Sequence, residues 1–184
     1  TLIEMDTISR LLPELQKSNA IICDLRGYPN SNHKLISHFL KEKDTSVSWM
    51  QIPKCIFPDR KNIQYFEKFG WSLPTSSPYL GDKQIVFITD GSAISSAESF
   101  LAFIKDYNLG KIIGQPTAGT NGNINTFELE GNISINWTGV KVVKHNGAQH
   151  HTIGVIPDVF LSKTIDGVKA GRDEFLEKAL ELVD

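Results

Sequence analysis

Apolar residues recur along this chain with two different periods, and the alternation between them outlines a fold. Helical spacing governs residues 6–16, where Ile8, Leu11, Leu12 and Leu15 share a face, and returns in the stripes Leu35, Ile36, Phe39, Leu40 and Phe100, Leu101, Phe103, Ile104. Asn30 or Asn32 offers an N-cap for the second of these, and a closing amphipathic helix is predicted over residues 171–183, capped near Arg172-Asp173. Short apolar or alternating runs predict strands over residues 19–25, 46–52, 83–89, 111–114, 125–129, 133–137, 140–143 and 155–161, with turns at Glu130-Gly131 and Thr138-Gly139. Residues 53–79, rich in Pro, Ser and aromatics with weak periodicity, predict an irregular surface excursion suited to substrate or partner contacts. Strands alternating with helices through short connections imply an α/β domain.

Composition narrows the class. With 184 residues, 40% of them hydrophobic, the chain can bury one substantial core without disulfides or metal, and two domains would be cramped. The formal net charge is −2 and no Lys/Arg block exceeds two residues, which excludes nucleic acid or an anionic membrane as the main partner. No apolar run approaches the ~20 residues of a bilayer-spanning helix. Cys23 and Cys55 match no zinc or redox spacing, which leaves two free or buried thiols or one disulfide between them.

The junction Ile85-Val-Phe-Ile-Thr-Asp-Gly-Ser-Ala-Ile-Ser95-Ser96-Ala97-Glu98 carries the strongest chemical signal. A serine in the first turn of a helix that follows a buried strand lies in the positive field of the helix N-terminus, which favours the negative charge that develops in acyl transfer. Ser95 is therefore a candidate nucleophile. The same residues, Ser95-x-x-Glu98, also spell a capping box, in which the serine merely ends the helix. The G-x-S-x-G elbow of α/β-hydrolases is absent.

Four segments in order, Ile22-Cys-Asp24-Leu-Arg26-Gly27-Tyr-Pro29, Ser95-Ser-Ala-Glu98, Ile113-Gly114-Gln-Pro116-Thr-Ala-Gly119 and Gly154-Val-Ile-Pro157-Asp158, extend over most of the chain. Together they resemble the C-terminal-processing serine peptidases, a family that includes the tail-specific proteases and the tricorn-protease core. The resemblance implies an α/β catalytic domain of the ClpP/crotonase kind spanning residues 1–184, part of a longer chain that lacks its N-terminal portion here. It also implies a serine-type endopeptidase acting on peptides or proteins without a cofactor or metal, exported to the periplasm or cell surface.

Carried over by motif, the resemblance makes Ser95 the nucleophile and Glu98 a structural helix residue. Oxyanion donors would come from the backbone of Ser96 and from the loop Gly27 to Ser31, where Asn30-Ser31 replaces the family's usual glycine pair. The tail-specific branch places a lysine base 25 residues beyond the serine; here that position is Thr120. The chain is thus more similar to the tricorn-core branch, whose histidine base would lie upstream of Thr1.

The histidines are read with that gap in view. His33 and His38 are expected to be exposed, and His145, His150 and His151 cluster before the Gly154 motif. His151 occupies the position of a charge-relay glutamate in tricorn-like members, so it is an orienting residue, a substitute base, or polar support. Adjacent His150 and His151 on a strand would face opposite sides, against joint metal ligation. Asp24 and Arg26 read as a buried pair fixing their loop. Asp106, near the end of the nucleophile helix, opposes the helix dipole and so calls for a specific partner. Two functions remain: a serine endopeptidase, or a catalytically inactive peptide-binding domain of the same fold. An acyl-CoA enzyme of the crotonase fold would share the architecture alone.

Overall fold

A computed structural model describes residues 5–29, 32–46, 48–55 and 63–184, with the backbone alone at 55 and 63–65. Four parallel strands form the central sheet: β1 (Ala20–Asp24), β4 (Gln84–Thr89), β5 (Lys111–Gly114) and β9 (Val159–Phe160), in the order β1-β4-β5-β9. The apolar runs are continuous because both faces are covered. Ile85 and Phe87 point into the larger core, with Ile8 of α1 (Met5–Lys17) and Phe100, Leu101, Phe103 and Ile104 of α2 (Ser96–Asp106). Val86, Ile88 and Ile113 point the other way, onto Phe175 and Ala179 of α4 (Glu174–Glu181).

A second sheet is antiparallel, β3-β2-β8, from β2 (Met50–Cys55), β3 (Ile63–Phe69) and β8 (Lys141–Val142). A third is the two-stranded hairpin of β6 (Ile124–Leu129) and β7 (Ile133–Thr138). Its turn uses positive φ at Gly131 and Asn132.

Several sequence expectations shift. The stretch taken as an irregular excursion contributes β3, and Trp71 beyond it stacks flat on Phe103 at 5.7 Å, so Phe69 and Trp71 serve the core. Strand β2 begins at Met50, later than expected, because Asp44 and Ser46 form a side-chain-closed turn instead of pairing. The stripe at 35–40 closes as a 3-10 helix, His33–His38. The single closing helix is two: α3 (Ile165–Lys169) stops before Gly171, whose φ of 68° favours glycine, and α4 restarts on an Asp173 side-chain cap that accepts from Leu176 N. Strand β9 is two residues long where seven were expected.

Candidate active site

All four strands of the central sheet run the same way, so the loops that follow β1, β4 and β5 gather at one edge, where α/β folds build their sites. The β4 loop supplies the serine. Asp90 Oδ1 accepts from Ser92 N (2.9 Å) and Ser92 Oγ (2.5 Å), turning the chain sharply toward α2. Ser95 then takes φ 53°, ψ −111°, an unusual conformation for a residue with a side chain. A helix cap ordinarily has extended backbone. Ser95 and Glu98 stand in the reciprocal arrangement of a capping box in spite of that backbone. Its return bond, Ser95 N to Glu98 Oε2, is 3.3 Å long. Ser95 is half-buried, and the next amide, Ser96 N, has no acceptor among the described residues.

What holds Ser95 in this conformation is the loop after β5. Ser95 N also donates to Thr120 O at 2.9 Å, and Ala118 N donates to Ala93 O at 3.1 Å. Thr120, 25 residues beyond the serine, thus stands directly against it. Beneath the loop lies Glu98, with 0% of its side chain exposed. Its Oε1 accepts from Thr117 Oγ1 (2.6 Å) and Gly119 N (2.7 Å), and His150 Nε2 stands 3.5 Å away. Burial alone would raise this carboxyl; His150, Thr117 and Gly119 outweigh it and hold it below the usual glutamate range. Thr117 Oγ1 in turn accepts from Val155 N at 2.9 Å, and Thr152 N donates to Gly119 O at 2.8 Å. Gly154 is required here: its φ is 68°, and a Cβ would lie 2.4 Å from Thr117 Oγ1. The three later motifs of the sequence therefore meet on one buried carboxylate.

The first motif closes the other side. Arg26 forks onto Asp24 (Nε to Oδ1 2.9 Å, Nη2 to Oδ2 2.6 Å) and onto Asp173 (Nη1 to Oδ1 3.0 Å, Nη2 to Oδ2 2.7 Å). The expected buried pair is a half-exposed triad that ties the end of β1 to the cap of α4. Gly27 follows with φ 88°, and Leu25 N to Ile88 O (2.8 Å) keeps its loop beside the end of β4. Asn30 and Ser31, the other oxyanion candidates, lie outside the described residues.

A cleft of about 860 Å³ opens beside this assembly, lined among others by Asn121, Asn125, Trp137, Val140, Lys141 and His151. Asn121 follows the Thr120 carbonyl that holds Ser95 N, so the cleft wall starts one residue from the serine's backbone contact. The expected lining from residues 55–79 is absent from it among the described residues, of which Phe69, Trp71 and Leu73 pack on the core instead.

His151 is exposed on the cleft rim and His150 is buried, so the two enter different environments. The sequence singled out His151 and weighed His150 only as a partner in metal ligation; nothing in its spacing marks a histidine that meets a carboxylate 52 positions earlier. Asp106 finds its partner in His145, Nδ1 to Oδ2 at 3.2 Å, while His145 Nε2 lies 3.2 Å from Ser46 Oγ. The expectation of exposure fails for His38, which is buried with Nδ1 2.8 Å from Pro78 O, and for His33, stacked on Trp71 at 4.6 Å. Cys23 is a free thiol, which removes the disulfide alternative; its sulfur is enclosed, and burial pushes the thiol up to about 12. Among the described residues no group of three or more His, Cys, Asp or Glu could hold a metal ion, and no helix is long and apolar enough to cross a membrane.

The same arrangement of chain recurs in solved structures. A Parabacteroides merdae ATCC 43184 protein superposes with a TM-score of 0.79 at 20% identity, over 98% of this chain and 57% of its own. Mature CPAF complexed with lactacystin gives 0.75 at 16% identity, over 97% and 47%. The photosystem II D1 C-terminal processing protease gives 0.60 at 19% identity, over 86% and 38%. This chain thus spans between about a third and three fifths of those proteins. A comparison with curated protein sequences gives no match. The α/β core is of the ClpP/crotonase kind, as the resemblance implied. The sequence profile of peptidase family S41 matches residues 4–161, which encompass the sheet, the Ser95 turn and the Glu98 hub, and the chain belongs to that family.

Proposed function

We propose that this protein is a serine peptidase in which Ser95 attacks the carbonyl carbon of a peptide bond. The observation that carries this reading is the Ser95 backbone itself: a positive φ at a strand-to-helix turn, with an unoccupied Ser96 N–H beside it. Strain of this kind persists only where surrounding contacts over-determine it, and here Thr120 O and Glu98 supply them. Ser95 Oγ would form the new C–O bond while its proton passes to a base. The carbonyl oxygen, gaining negative charge, would be met by Ser96 N–H in the positive field of α2. The amine then leaves with a proton, and water releases the acyl group.

The substrate would lie in the cleft, whose wall combines Trp137, Val140 and Val142 with Asn121, Asn125 and Lys141. His151, the exposed histidine on that rim, is the base or orienting residue we assign within the described chain, and Thr120 at the lysine position favours the tricorn-like, histidine-dependent branch. The test is Ser95→Ala in the full-length protein, expected to lower peptide hydrolysis by ~10⁴-fold or more. A fluorophosphonate should label Ser95 in the wild-type protein. Undiminished hydrolysis by Ser95→Ala would refute the assignment. Absence of both label and hydrolysis in the wild type would favour the inactive peptide-binding domain, a reading supported by the lack of any histidine or lysine hydrogen-bonded to Ser95 among the described residues.

A further inference from the structure

The chain carries a formal charge of −2, yet no acid lines the cleft among the described residues, and Lys141 is its one formal charge there. A second hollow of about 290 Å³ shares Val143 and Gly147 with the cleft, and its charged or titratable side chains are Lys68, Lys144 and His145. The sheet β3-β2-β8 gathers these lysines. Gln51 of β2 pairs with Lys68 of β3 on one side and with Lys141 of β8 on the other. Residues directly opposite one another in an antiparallel pair share a face, so the two lysines stand on one face, about 10 Å apart across two strand spacings. Lys144 opens the turn after β8, where its carbonyl accepts from Gly147 N at 2.8 Å. Acids of the same segments are engaged elsewhere. Asp44 is 0% exposed and accepts from Ser46 Oγ and Tyr107 Oη, both at 2.5 Å. Asp106 answers His145, and Glu67 pairs with Lys54 on the opposite face of the sheet. Glu128 lies three residues beyond Asn125, toward the hairpin turn. Lys68, Lys141 and Lys144 make no ion pair among the described residues. Lys141 Nζ sits instead 5.2 Å from the Phe66 ring centroid, which keeps its ammonium at the wall.

We propose that the cleft selects acidic peptides, with side-chain carboxylates of the bound segment meeting Lys141 and, across the shared wall at Val143, Lys68 and Lys144. The proposal rests on the reading of this cleft as the peptide site and adds the class of peptide it takes. Extended chain advances about 3.3 Å per residue, so two carboxylates some three residues apart span the ~10 Å between Lys141 and Lys68. Trp137, Val140 and Val142 offer apolar cover, and Asn121, Asn125 and Gln149 offer amides that accept and donate alike. Neither set distinguishes an acidic peptide from a basic one, so the sign of the preference falls to the lysines. A cleft walled by protein and lined by one sign of charge concentrates its field, drawing in an anionic segment and repelling a cationic one. A single exposed ion pair contributes little. The preference arises because three cations without carboxylate partners act on one short stretch of peptide.

Fluorescence anisotropy on the full-length Ser95→Ala protein, which would hold a peptide without cutting it, tests this. The probe is a fluorescein-labelled decapeptide with a free-standing pair of glutamates three residues apart and an amidated C-terminus; its counterparts carry glutamine or lysine at both positions. The glutamate peptide should bind about 10-fold more tightly than the glutamine peptide, and the lysine peptide most weakly. That margin should shrink as NaCl rises from about 0.05 to 0.5 M. Lys68→Ala and Lys141→Ala should each weaken the glutamate peptide about 3-fold, and Lys68→Glu with Lys141→Glu should reverse the order of the three peptides. Both lysines are exposed, so these variants should fold. Lys169→Glu, at the end of α3 and in neither hollow, should change nothing. Equal binding of the glutamate and glutamine peptides would overturn the proposal, as would an order that survives the double charge reversal. Binding that requires a free C-terminal carboxylate, or a single-stranded oligonucleotide that displaces the glutamate peptide at lower concentration than the unlabelled peptide does, would overturn it too. Wild-type protein that binds the glutamate peptide and leaves it uncut refutes the catalytic reading alone. Wild-type protein that hydrolyses the glutamine peptide as fast as the glutamate peptide refutes this inference alone.

Discussion

Helix α2 ends in an acid–histidine pair at each terminus, and the two pairs do opposite things. At the N-terminal end, Glu98 and His150 are 0% and 2% exposed, and the carboxylate gathers Ser95 N, Thr117 Oγ1 and Gly119 N around itself. At the C-terminal end, Asp106 and His145 are 24% and 14% exposed, and the histidine answers an acid that the helix dipole disfavours. The first pair organises three segments of chain far apart in sequence. The second corrects a local electrostatic conflict and pins the 44–46 turn through Ser46. Depth decides the difference: inside, an unmet donor costs its full desolvation, whereas near water a lost bond is largely replaced.

Substitutions at the two ends should separate accordingly. Glu98→Ala strands Thr117 Oγ1, Gly119 N and His150 in a dry site and should cost about 3–5 kcal/mol, which for a chain of this size lowers the melting temperature by roughly 10 °C. A loss under about 1 kcal/mol in thermal or urea unfolding would show that the hub relaxes around water, and would erase the contrast. His145→Ala should cost about 1–2 kcal/mol, since it leaves Asp106 unanswered at the helix end and removes edge contacts to Phe103 (5.0 Å) and Tyr107 (5.8 Å).

Acid titration sharpens the comparison further. Glu98 is held below its ordinary value in the folded protein, so its contribution is complete above about pH 4.3 and is lost as pH falls through the folded value. Glu98→Gln should therefore flatten the acid limb of the stability profile. It will not abolish that limb, because Asp24, Asp44, Asp158 and Asp173 are also held low, through Arg26, Ser46, Lys105 and Arg26 respectively. An acid limb with unchanged slope would show that Glu98 is not the hub it is drawn as. The smallest effect should come from Asp106→Asn, where the lost His145 contact is offset by removal of an unfavourable acid. Calorimetry should place it within about 0.5 kcal/mol of wild type.

The order of elements was legible because period and run length report burial directly. Residues 83–89 read as a strand since both of its faces are apolar, and α2 read as a helix from Phe100, Leu101, Phe103 and Ile104. Strand β3 escaped notice because its sequence, Ile63-Gln-Tyr-Phe-Glu-Lys-Phe69, pairs through its backbone with β2, and such pairing leaves no period when the faces are unevenly covered. The motifs located Ser95, Arg26 and Glu98 by chain position. Their partners were a different matter: Asp173 lies 147 residues from Arg26, and His145 lies 39 from Asp106.

The sequence alone determined an α/β chain with a serine at a strand-to-helix junction and family motifs in order around it. These are properties of local pattern and spacing. Only the tertiary structure decided that Ser95 is a strained turn residue and not a simple cap, that Glu98 joins three loops, that His150 and not His151 meets it, and that Lys68 and Lys141 share a face beside the cleft. Each of these depends on which distant segment arrives against which, and hydrogen bonding and burial across such contacts have no signature in the order of residues.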